Sequence, residues 1–350
     1  MFSVQDALNR LIDSNEIYYD EMTDLMRQIM RGEVCPEAIA AILIGLRIKV
    51  ESNSEIVAAT NALREFMVKV PAKNKEKLVD IVGTGGDNAQ TFNISTAAMF
   101  VAGSMGALIA KHGNRAVTSK SGAADAVEQM GACIELGPAQ IAQSIEECGV
   151  GFMFAQMHHA AMKYVAPVRK ALGVRTMFNI LGCLANPTDA ANQVLGVFHP
   201  DLLSICAHAS KQMGRKRVIV AHGCDGLDEI TVTGPTRMAE LKDGEISYYE
   251  IEPERFGIKR AESLNGIRAG SPKESVDKIM SALSGDRGPH RDVVLLNAAA
   301  CLYCVGIAKD LGEGVEMAAM AIDSGKALAK QKEFVAETQK LAKETGKRNA

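Results

Sequence analysis

One stretch of this chain constrains its fold more than any other: Asp80-Ile81-Val82-Gly83-Thr84-Gly85-Gly86-Asp87, followed closely by Asn93-Ile94-Ser95-Thr96. An apolar strand runs into three glycines, and a helix then begins with a serine and a threonine. Glycine lets the backbone approach a ligand closely, and a helix N-terminus favours anions. The stretch therefore predicts a strand, a phosphate-binding turn and a helix. It lacks the third glycine of the dinucleotide fingerprint and the lysine of a P-loop. Taken alone, it would also fit a plain tight connection.

The composition is ordinary for a soluble globular protein. Of the 350 residues, 47% are hydrophobic and 23% are charged, and the net charge is −3. This charge offers no overall attraction to nucleic acid or to anionic membranes, so a bound anion must be met locally. No apolar run reaches the roughly 18 residues of a membrane span, and the N-terminus does not resemble a signal. We expect a cytoplasmic protein with no nucleic-acid or membrane partner.

The eight cysteines predict neither a metal centre nor a disulfide framework. They are scattered, and only Cys301 and Cys304 have C-x-x-C spacing, without a second pair to complete a zinc site. We interpret them as reduced thiols of the core.

Residues 3–68 predict a helical segment, because apolar residues recur there at helical spacing in four successive runs. A polar, proline-marked linker follows at 70–77. Beyond it, strands and helices alternate, which is typical of an α/β sheet with ligands at the carboxyl ends of its strands. Strands are expected at 78–82, 107–110, 150–155, 218–221 and 229–233, and helices at 94–105, 122–130, 138–148, 200–212 and from 273 onward.

Two domains joined by hinge segments are expected. Residues 1–70 would form a small all-helical domain. Residues 71–165 and 191–350 would form a larger α/β domain with a mostly parallel central sheet. The helical passage at about 166–190 carries Arg169, Lys170 and Arg175 and is expected to return to the helical domain.

A second anion-binding motif reads Lys111-His112-Gly113-Asn114-Arg115-Ala116-Val117-Thr118-Ser119-Lys120-Ser121-Gly122. Like the first, it follows a predicted strand and precedes a predicted helix. Its cations, hydroxyls, amide and glycines suit a polyanion such as pyrophosphate. The alternative is a solvated basic loop.

A third motif is Asp225-Gly226-Leu227-Asp228-Glu229, which follows another predicted strand. Adjacent carboxylates are the oxygen ligands that Mg²⁺ prefers, with waters and substrate phosphates completing its shell. The alternative is a solvated acidic turn. Two phosphate-binding motifs and one acidic pair together favour a substrate with a diphosphate leaving group. No spacing singles out a covalent nucleophile, so catalysis is expected to rest on neutralising the pyrophosphate.

With these motifs in this order, the chain resembles the anthranilate phosphoribosyltransferases of tryptophan biosynthesis, essentially from end to end. The likeness also rests on Ala166-Pro167-Val168-Arg169 and Leu172-Gly173-Val174-Arg175-Thr176. The resemblance implies transfer of phosphoribose from phosphoribosyl pyrophosphate to the amine of anthranilate, with release of pyrophosphate.

The resemblance also implies site residues. Ser95, Asp228 and Glu229 would ligate Mg²⁺, and anthranilate would meet Gly83, Asn114 and Arg169, with Arg169 pairing its carboxylate. The candidate proton acceptors are His112 and His158, each alternatively a packing residue. The phosphoribosyl pyrophosphate site would comprise Gly83, Gly86, Asp87, Thr91, Asn93, Ile94, Ser95, Thr96, Lys111, His112, Gly113, Asn114, Arg115, Ala116, Val117, Thr118, Ser119 and Ala123.

Mg²⁺ is the expected cofactor. No motif determines the number of ions, and we expect two. A homodimer is expected from the apolar helical segment and the family likeness. Some positions depart from the usual family pattern and put the shape of the anthranilate tunnel in question: Ala123 for a serine, Gln156 and Ala160 for prolines, and Cys183 and Ala185 in a Gly-Pro-Leu-Thr-Asn-Pro turn.

Two rivals share the expected architecture. A pyrimidine-nucleoside phosphorylase would carry a Lys-His-Ser-Thr-Gly-Gly type motif, whereas Gly113-Asn114-Arg115 follows Lys111-His112 here. A non-catalytic nucleic-acid-binding relative would be basic and would lack the acidic ligands, whereas this chain is net negative and keeps Asp228 and Glu229.

Overall fold

The computed structural model describes residues 2–116 and 120–344. The helices are α1 Val4–Ile12, α2 Tyr19–Arg31, α3 Pro36–Lys49, α4 Asn53–Glu65, α5 Ile94–Ser104, α6 Ala123–Gln129, α7 Pro138–Cys148, α8 Ala155–His158, α9 Ala166–Leu172, α10 Phe178–Leu184, α11 Leu202–Gln212, α12 Pro272–Ser284, α13 Pro289–Cys304, α14 Leu311–Asp323 and α15 Lys326–Glu344. The strands are β1 Leu78–Gly83, β2 Leu108–Gly113, β3 Val150–Phe154, β4 Asn192–Gly196, β5 Arg217–Gly223, β6 Thr236–Lys242 and β7 Glu245–Ile251. Four short 3₁₀ segments lie at Lys75–Lys77, Ala160–Tyr164, Pro253–Phe256 and Leu264–Ile267.

The first four helices confirm the predicted helical segment. The Ser3 hydroxyl accepts from the Asp6 N–H at 3.0 Å and so caps α1. Ser52 and Glu55 form a reciprocal capping box at the start of α4. Gly32, with φ of 77°, ends α2 in a left-handed conformation that a side chain would disfavour.

The central sheet has seven strands in the order β3-β2-β1-β4-β5-β6-β7. The first five strands of this order pair in parallel, and β6 and β7 are antiparallel at one edge. Side chains of one strand alternate between faces, so Val194 belongs to the core that includes α13, while Leu195 belongs to the core that includes the N-terminal helices. A small helical part and a larger, mostly parallel α/β part are thus confirmed.

The expected strand at 229–233 is wrong. These residues form a loop, and the chain enters a strand only at Thr236. Ile230 and Val232 are buried, but by packing into the helix-covered core and not by pairing in the sheet. β4 was not predicted, although it lies at the centre of the sheet, because its polar residues Asn192 and Gln193 mask the strand pattern.

The passage that includes α9 and α10 packs against the N-terminal helices. Val168, Met177 and Leu181 share a core with α2 and α4, and this core continues onto α11 and one face of the sheet. The chain crossings, where the chain passes between the helical part and the α/β part, lie side by side. The Val68 N–H donates to the His158 carbonyl at 2.9 Å, and the Val70 N–H donates to the Pro187 carbonyl at 2.9 Å. On this packing we propose residues 1–70 with about 166–190 as one domain, and residues 71–165 with 191–350 as the other.

All eight cysteines are free thiols, and six are buried as expected. Cys35 and Cys224 are exposed, so the expectation of core thiols is wrong for these two. Within residues 2–116 and 120–344, none of the helices combines the length and the apolar character needed to cross a membrane.

Candidate active site

Two glycines at the carboxyl ends of adjacent parallel strands create the space for the site. Gly83 on β1 pairs with Gly196 on β4. A Cβ added to Gly196 would overlap the Asp228 carbonyl oxygen, and one added to Gly83 would lie 2.5 Å from Asp228 Oδ2. Only a strand pair without side chains at this level admits the Asp228 backbone so closely.

We expect Gly196→Ala to lower the free energy of unfolding by about 2 kcal/mol, because the methyl group would overlap a backbone that packing holds in place. Urea denaturation measures the change. Gly137→Ala is the matched control, since a Cβ there meets nothing closer than Gln140 Oε1 at 3.5 Å. Equal stability of the two variants would contradict the close approach of Asp228.

The acidic pair of the third motif meets the glycine-rich turn of the first. Asp228 Oδ2 accepts from the Gly85 N–H at 2.6 Å. Glu229 Oε1 accepts from the Ser95 N–H at 3.2 Å. Both carboxylates are buried. The structure therefore brings together the three residues expected to ligate Mg²⁺.

These carboxylates are electrostatically crowded. Burial, then the nearby charges of Asp87 and Glu229, raise the pKa of Asp228 well above its ordinary value. Burial raises the pKa of Glu229 to about 7, although Lys111 opposes the shift. Asp87 adds a buried Oδ2 with no hydrogen-bond partner among the described residues. A divalent cation would relieve this crowding, so the donor set fits Mg²⁺.

The protein would supply only part of a metal ion's shell. Across residues 2–116 and 120–344, no three His, Cys, Asp or Glu side chains are grouped so that they could hold one ion. Mg²⁺ usually keeps several waters and takes one or two carboxylates plus substrate phosphates. The geometry therefore suits an ion that arrives with a phosphate-bearing ligand.

Lys111 lies beneath the site. Its ammonium donates to the Ile81 carbonyl at 2.6 Å and to Ser95 Oγ at 3.0 Å, and the residue is 1% exposed. Burial lowers its pKa, while Asp80 and Glu229 act in the opposite direction. In this arrangement Lys111 orients the Ser95 hydroxyl and adds positive potential from below.

The loop after β2 is held by acidic side chains. Arg115 donates twice to Glu128, at 2.7 and 3.0 Å, and once to Asp125 at 3.1 Å. These hydrogen bonds raise the Arg115 pKa. Asn114 Oδ1 accepts from the Arg115 N–H at 2.8 Å. The Arg115 guanidinium is thus already paired with carboxylates, which sequence reasoning did not foresee.

The other residues expected at the phosphoribosyl pyrophosphate site have these surroundings. The Ala116 N–H donates to Asp125, Gly113 packs against Ala123 at the start of α6, and Ile94 belongs to the core. Val117, Thr118 and Ser119 lie outside the described residues.

The start of α5 is tied to two distant segments. The Asn93 amide donates to the Ser121 carbonyl at 3.2 Å, and its oxygen accepts from the hydroxyls of Ser121 and Ser275. Thr91 forms an isolated bridge with Arg268. The Thr96 hydroxyl is buried without a hydrogen-bond partner in the described part of the chain. Ser275 and Arg268 were not singled out from the sequence, because nothing local marks them.

Arg175 joins the passage of α9 and α10 to the glycine-rich turn at 83–87. Its guanidinium donates to the Gly86 carbonyl and lies 4.2 Å from the ring centroid of Phe198. Sequence reasoning included Arg175 in a motif but assigned it no role.

Arg169 is a half-buried cation on α9 with no ion pair to any carboxylate that the structure describes. Burial lowers its pKa, and Phe178 lies beneath it at 5.9 Å. The thiol of Cys183, which lies near Arg169, donates to the Gly83 carbonyl at 3.4 Å. The structure therefore places Arg169 near Cys183, which contacts the glycine-rich turn, and leaves its guanidinium without a carboxylate partner among the described residues.

The candidate proton acceptors are both buried. His112 Nδ1 lies 3.2 Å from the Gly182 carbonyl, and its Nε2 has no hydrogen-bond partner among the described residues. His158 Nδ1 lies 2.7 Å from the Val68 carbonyl at the chain crossing. Burial lowers the pKa of both. His159, which the sequence did not single out, lies 5.0 Å from His112 between ring centroids.

Burial also lowers the pKa of His159, to about 4. Its ordinary value applies in the unfolded chain, so the stability due to the neutral ring is present above pH 6.5 and is lost as the pH falls towards 4. Between about pH 7.5 and about pH 5, we expect the free energy of unfolding of the wild type to fall by about 2 kcal/mol more than that of His159→Gln. Urea titrations at both pH values test this, and parallel losses would contradict it.

Comparison with known proteins places this geometry in a family. Two models match: glycosyl transferase family, helical bundle domain, over residues 5–67, and glycosyl transferase family, a/b domain, over residues 75–328. Anthranilate phosphoribosyltransferase of Neisseria meningitidis serogroup C is 59% identical over 335 residues, covering 96% of this chain and 95% of that protein. That of Chromobacterium violaceum is 54% identical over 341 residues, covering 97% and 99%.

Solved structures agree. Anthranilate phosphoribosyltransferase from Thermus thermophilus superimposes with a TM-score of 0.90 at 40% identity, covering 95% of this chain and 99% of that one. The Saccharomyces cerevisiae enzyme, in complex with PRPP and Mg, has a TM-score of 0.87 at 26% identity, covering 96% and 98%.

Proposed function

This chain belongs to the anthranilate phosphoribosyltransferase family, and on that premise we propose that it transfers phosphoribose from phosphoribosyl pyrophosphate to the amine of anthranilate, releasing pyrophosphate. The observation that carries this function is the contact of Asp228 and Glu229 with Gly85 and Ser95. It joins an acidic pair suited to Mg²⁺ with a turn suited to phosphate. The family assignment favours this reaction over nucleoside phosphorolysis and over nucleic-acid binding.

We assign the roles as follows. Ser95, Asp228 and Glu229 would hold Mg²⁺, which when bound neutralises charge on the departing pyrophosphate. The turn at 83–87 and the start of α5 would bind phosphate through backbone N–H groups and the helix dipole. Lys111 would hold the Ser95 hydroxyl in place from below. How many ions bind is part of the proposal, and we expect two.

Arg169 would receive the anthranilate carboxylate, and Gly83 and Asn114 would border the amine. An arylamine is neutral at pH 7, so no strong base is needed before it attacks the anomeric carbon. The main task of the protein is then alignment of the amine with that carbon. His112 and His158 both stay candidate proton acceptors, because each has an Nδ1 beside a backbone carbonyl and an Nε2 with no hydrogen-bond partner among the described residues.

We also propose a cytoplasmic homodimer. In the N-terminal helical part, Ile12 is 78% exposed, Ile48 76% and Val50 60%. A dimer interface on this helical part would remove these apolar side chains from water.

The function is tested with the purified full chain, Mg²⁺ and phosphoribosyl pyrophosphate. Anthranilate fluorescence should fall over time, and should stay constant when phosphoribosyl pyrophosphate is left out. Constant fluorescence in the complete mixture, together with phosphorolysis of thymidine or uridine, would overturn the proposal.

A further inference from the structure

The segment between β5 and β6 is tied together by one carboxylate. Asp225 Oδ1 accepts from the Leu227 N–H at 3.1 Å. Its Oδ2 accepts from the Thr231 hydroxyl at 2.5 Å and also from the Thr233 hydroxyl. Gly223 makes room for this arrangement, because a Cβ there would lie 2.5 Å from Asp225 Oδ1. Asp225 thus joins the residue before the acidic pair to two residues after it.

A second support approaches the same segment from helix α13. Asn297 is 1% exposed, its Oδ1 accepts from the Ile230 N–H at 3.1 Å, and its Nδ2 donates to the Ile230 carbonyl at 2.9 Å. The chain is therefore anchored at Leu227 and again at Ile230. Only Asp228 and Glu229 lie between these two anchors.

The acidic pair needs such anchoring because its own charges act against it. Two neighbouring carboxylates repel each other when both are ionised. Asp225 itself is not free to be a ligand of the same kind, since its two oxygens already accept three hydrogen bonds.

We propose that Asp225 is a positioning residue for divalent-cation binding: through Leu227 and Thr231 it holds the Asp228 and Glu229 carboxylates where they take Mg²⁺ together with the substrate pyrophosphate. This inference rests on the proposed function. Partners outside the ligand shell typically change metal affinity or activity by roughly 10- to 100-fold when they are removed. The exposed position of Asp225 allows its replacement without opening the core.

Binding of Mn²⁺ to the full chain in the presence of phosphoribosyl pyrophosphate, followed by electron paramagnetic resonance without anthranilate, measures the effect apart from turnover. We expect Asp225→Ala to raise the Mn²⁺ dissociation constant, and the Mg²⁺ concentration for half-maximal activity, by about tenfold. The KM for anthranilate should change less than about twofold. Asp225→Asn, which keeps one acceptor oxygen, should fall between wild type and Asp225→Ala.

Thr231→Val removes a donor from the other side of the same interaction and should weaken Mn²⁺ binding in the same direction. In the double variant, the losses of Mn²⁺ affinity from Thr231→Val and Asp225→Ala should not add up, because both substitutions remove the same hydrogen bond between Thr231 and Asp225. Asp243→Asn is the control, since Asp243 lies in the turn between β6 and β7. It should leave Mn²⁺ binding unchanged.

Unchanged Mn²⁺ affinity in Asp225→Ala, with lower thermal stability alone, would overturn the inference and leave the proposed function intact. Failure of the proposed function gives a different result: no anthranilate is consumed by the wild type. If Asp228→Asn with Glu229→Gln also failed to alter Mn²⁺ binding, the metal site and this inference would both be wrong.

Discussion

Replacing Asp228 by asparagine and Glu229 by glutamine together is expected to lower kcat/KM at least about a thousandfold, or about 4 kcal/mol of transition-state stabilisation. The two carboxylates are the charged oxygens that meet the glycine-rich turn, and both are buried. Neutral amides of the same shape would remove the charge that attracts Mg²⁺ while preserving the packing. Initial rates measured over a range of Mg²⁺ concentrations check this, and added Mg²⁺ should not restore the rate.

The same double variant should not be less stable than the wild type when metal is absent. Burial, and after it the charge of Asp87, disfavour ionisation of Asp228 and Glu229 in the folded chain, as their raised pKa values indicate. The two carboxyl groups therefore stabilise the fold only while they are protonated, and this contribution to the free energy of unfolding is lost as the pH rises through their folded pKa values. Thermal denaturation at about pH 8 in a chelator separates loss of the site from misfolding. Near-normal activity of the double variant would remove both residues from the metal site.

Arg169→Ala is expected to raise the KM for anthranilate about a hundredfold, or about 2.7 kcal/mol, with a much smaller change in kcat. The guanidinium is half-buried and has no carboxylate partner in the described structure, so it is available for a bidentate pair with the substrate. The carboxylate takes no part in bond formation, so its binding contributes to the ground state and the transition state alike. Steady-state kinetics at saturating phosphoribosyl pyrophosphate measure both constants.

Two controls sharpen this prediction. Lys170→Ala removes a neighbouring exposed cation from α9 and should leave the KM for anthranilate unchanged. Aniline, which lacks the carboxylate, should react with wild type and Arg169→Ala at the same low rate. A KM for anthranilate that is unaffected by Arg169→Ala would exclude Arg169 as the carboxylate-binding residue.

Much of the fold could be predicted because it is encoded locally. The helical spacing in residues 3–68 and the strand, glycine turn and helix at 78–104 each depend on a few neighbouring residues. β4 was missed, and a strand was placed at 229–233, because burial comes from partners far along the chain. Asn192 and Gln193 look unlike a central strand, yet their side chains bind Glu76, Leu78, Asp80 and Cys183 across the fold. Polar residues with such partners are stable in a core.

By itself, the sequence determined the chemistry of the candidate site: a glycine turn before a helix N-terminus, a basic loop and an acidic pair. These are properties of residue types in short motifs, and motif order was enough to identify the family. Only the tertiary structure decided how deeply each charge is buried and what it pairs with. It placed Gly83 beside Gly196 so that Asp228 fits between strands, buried Lys111 beneath Ser95, and paired Arg115 with acids while leaving Arg169 unpaired among the described residues. Burial and pairing depend on long-range packing, and they set the energy of a charge far more than its neighbours in sequence do.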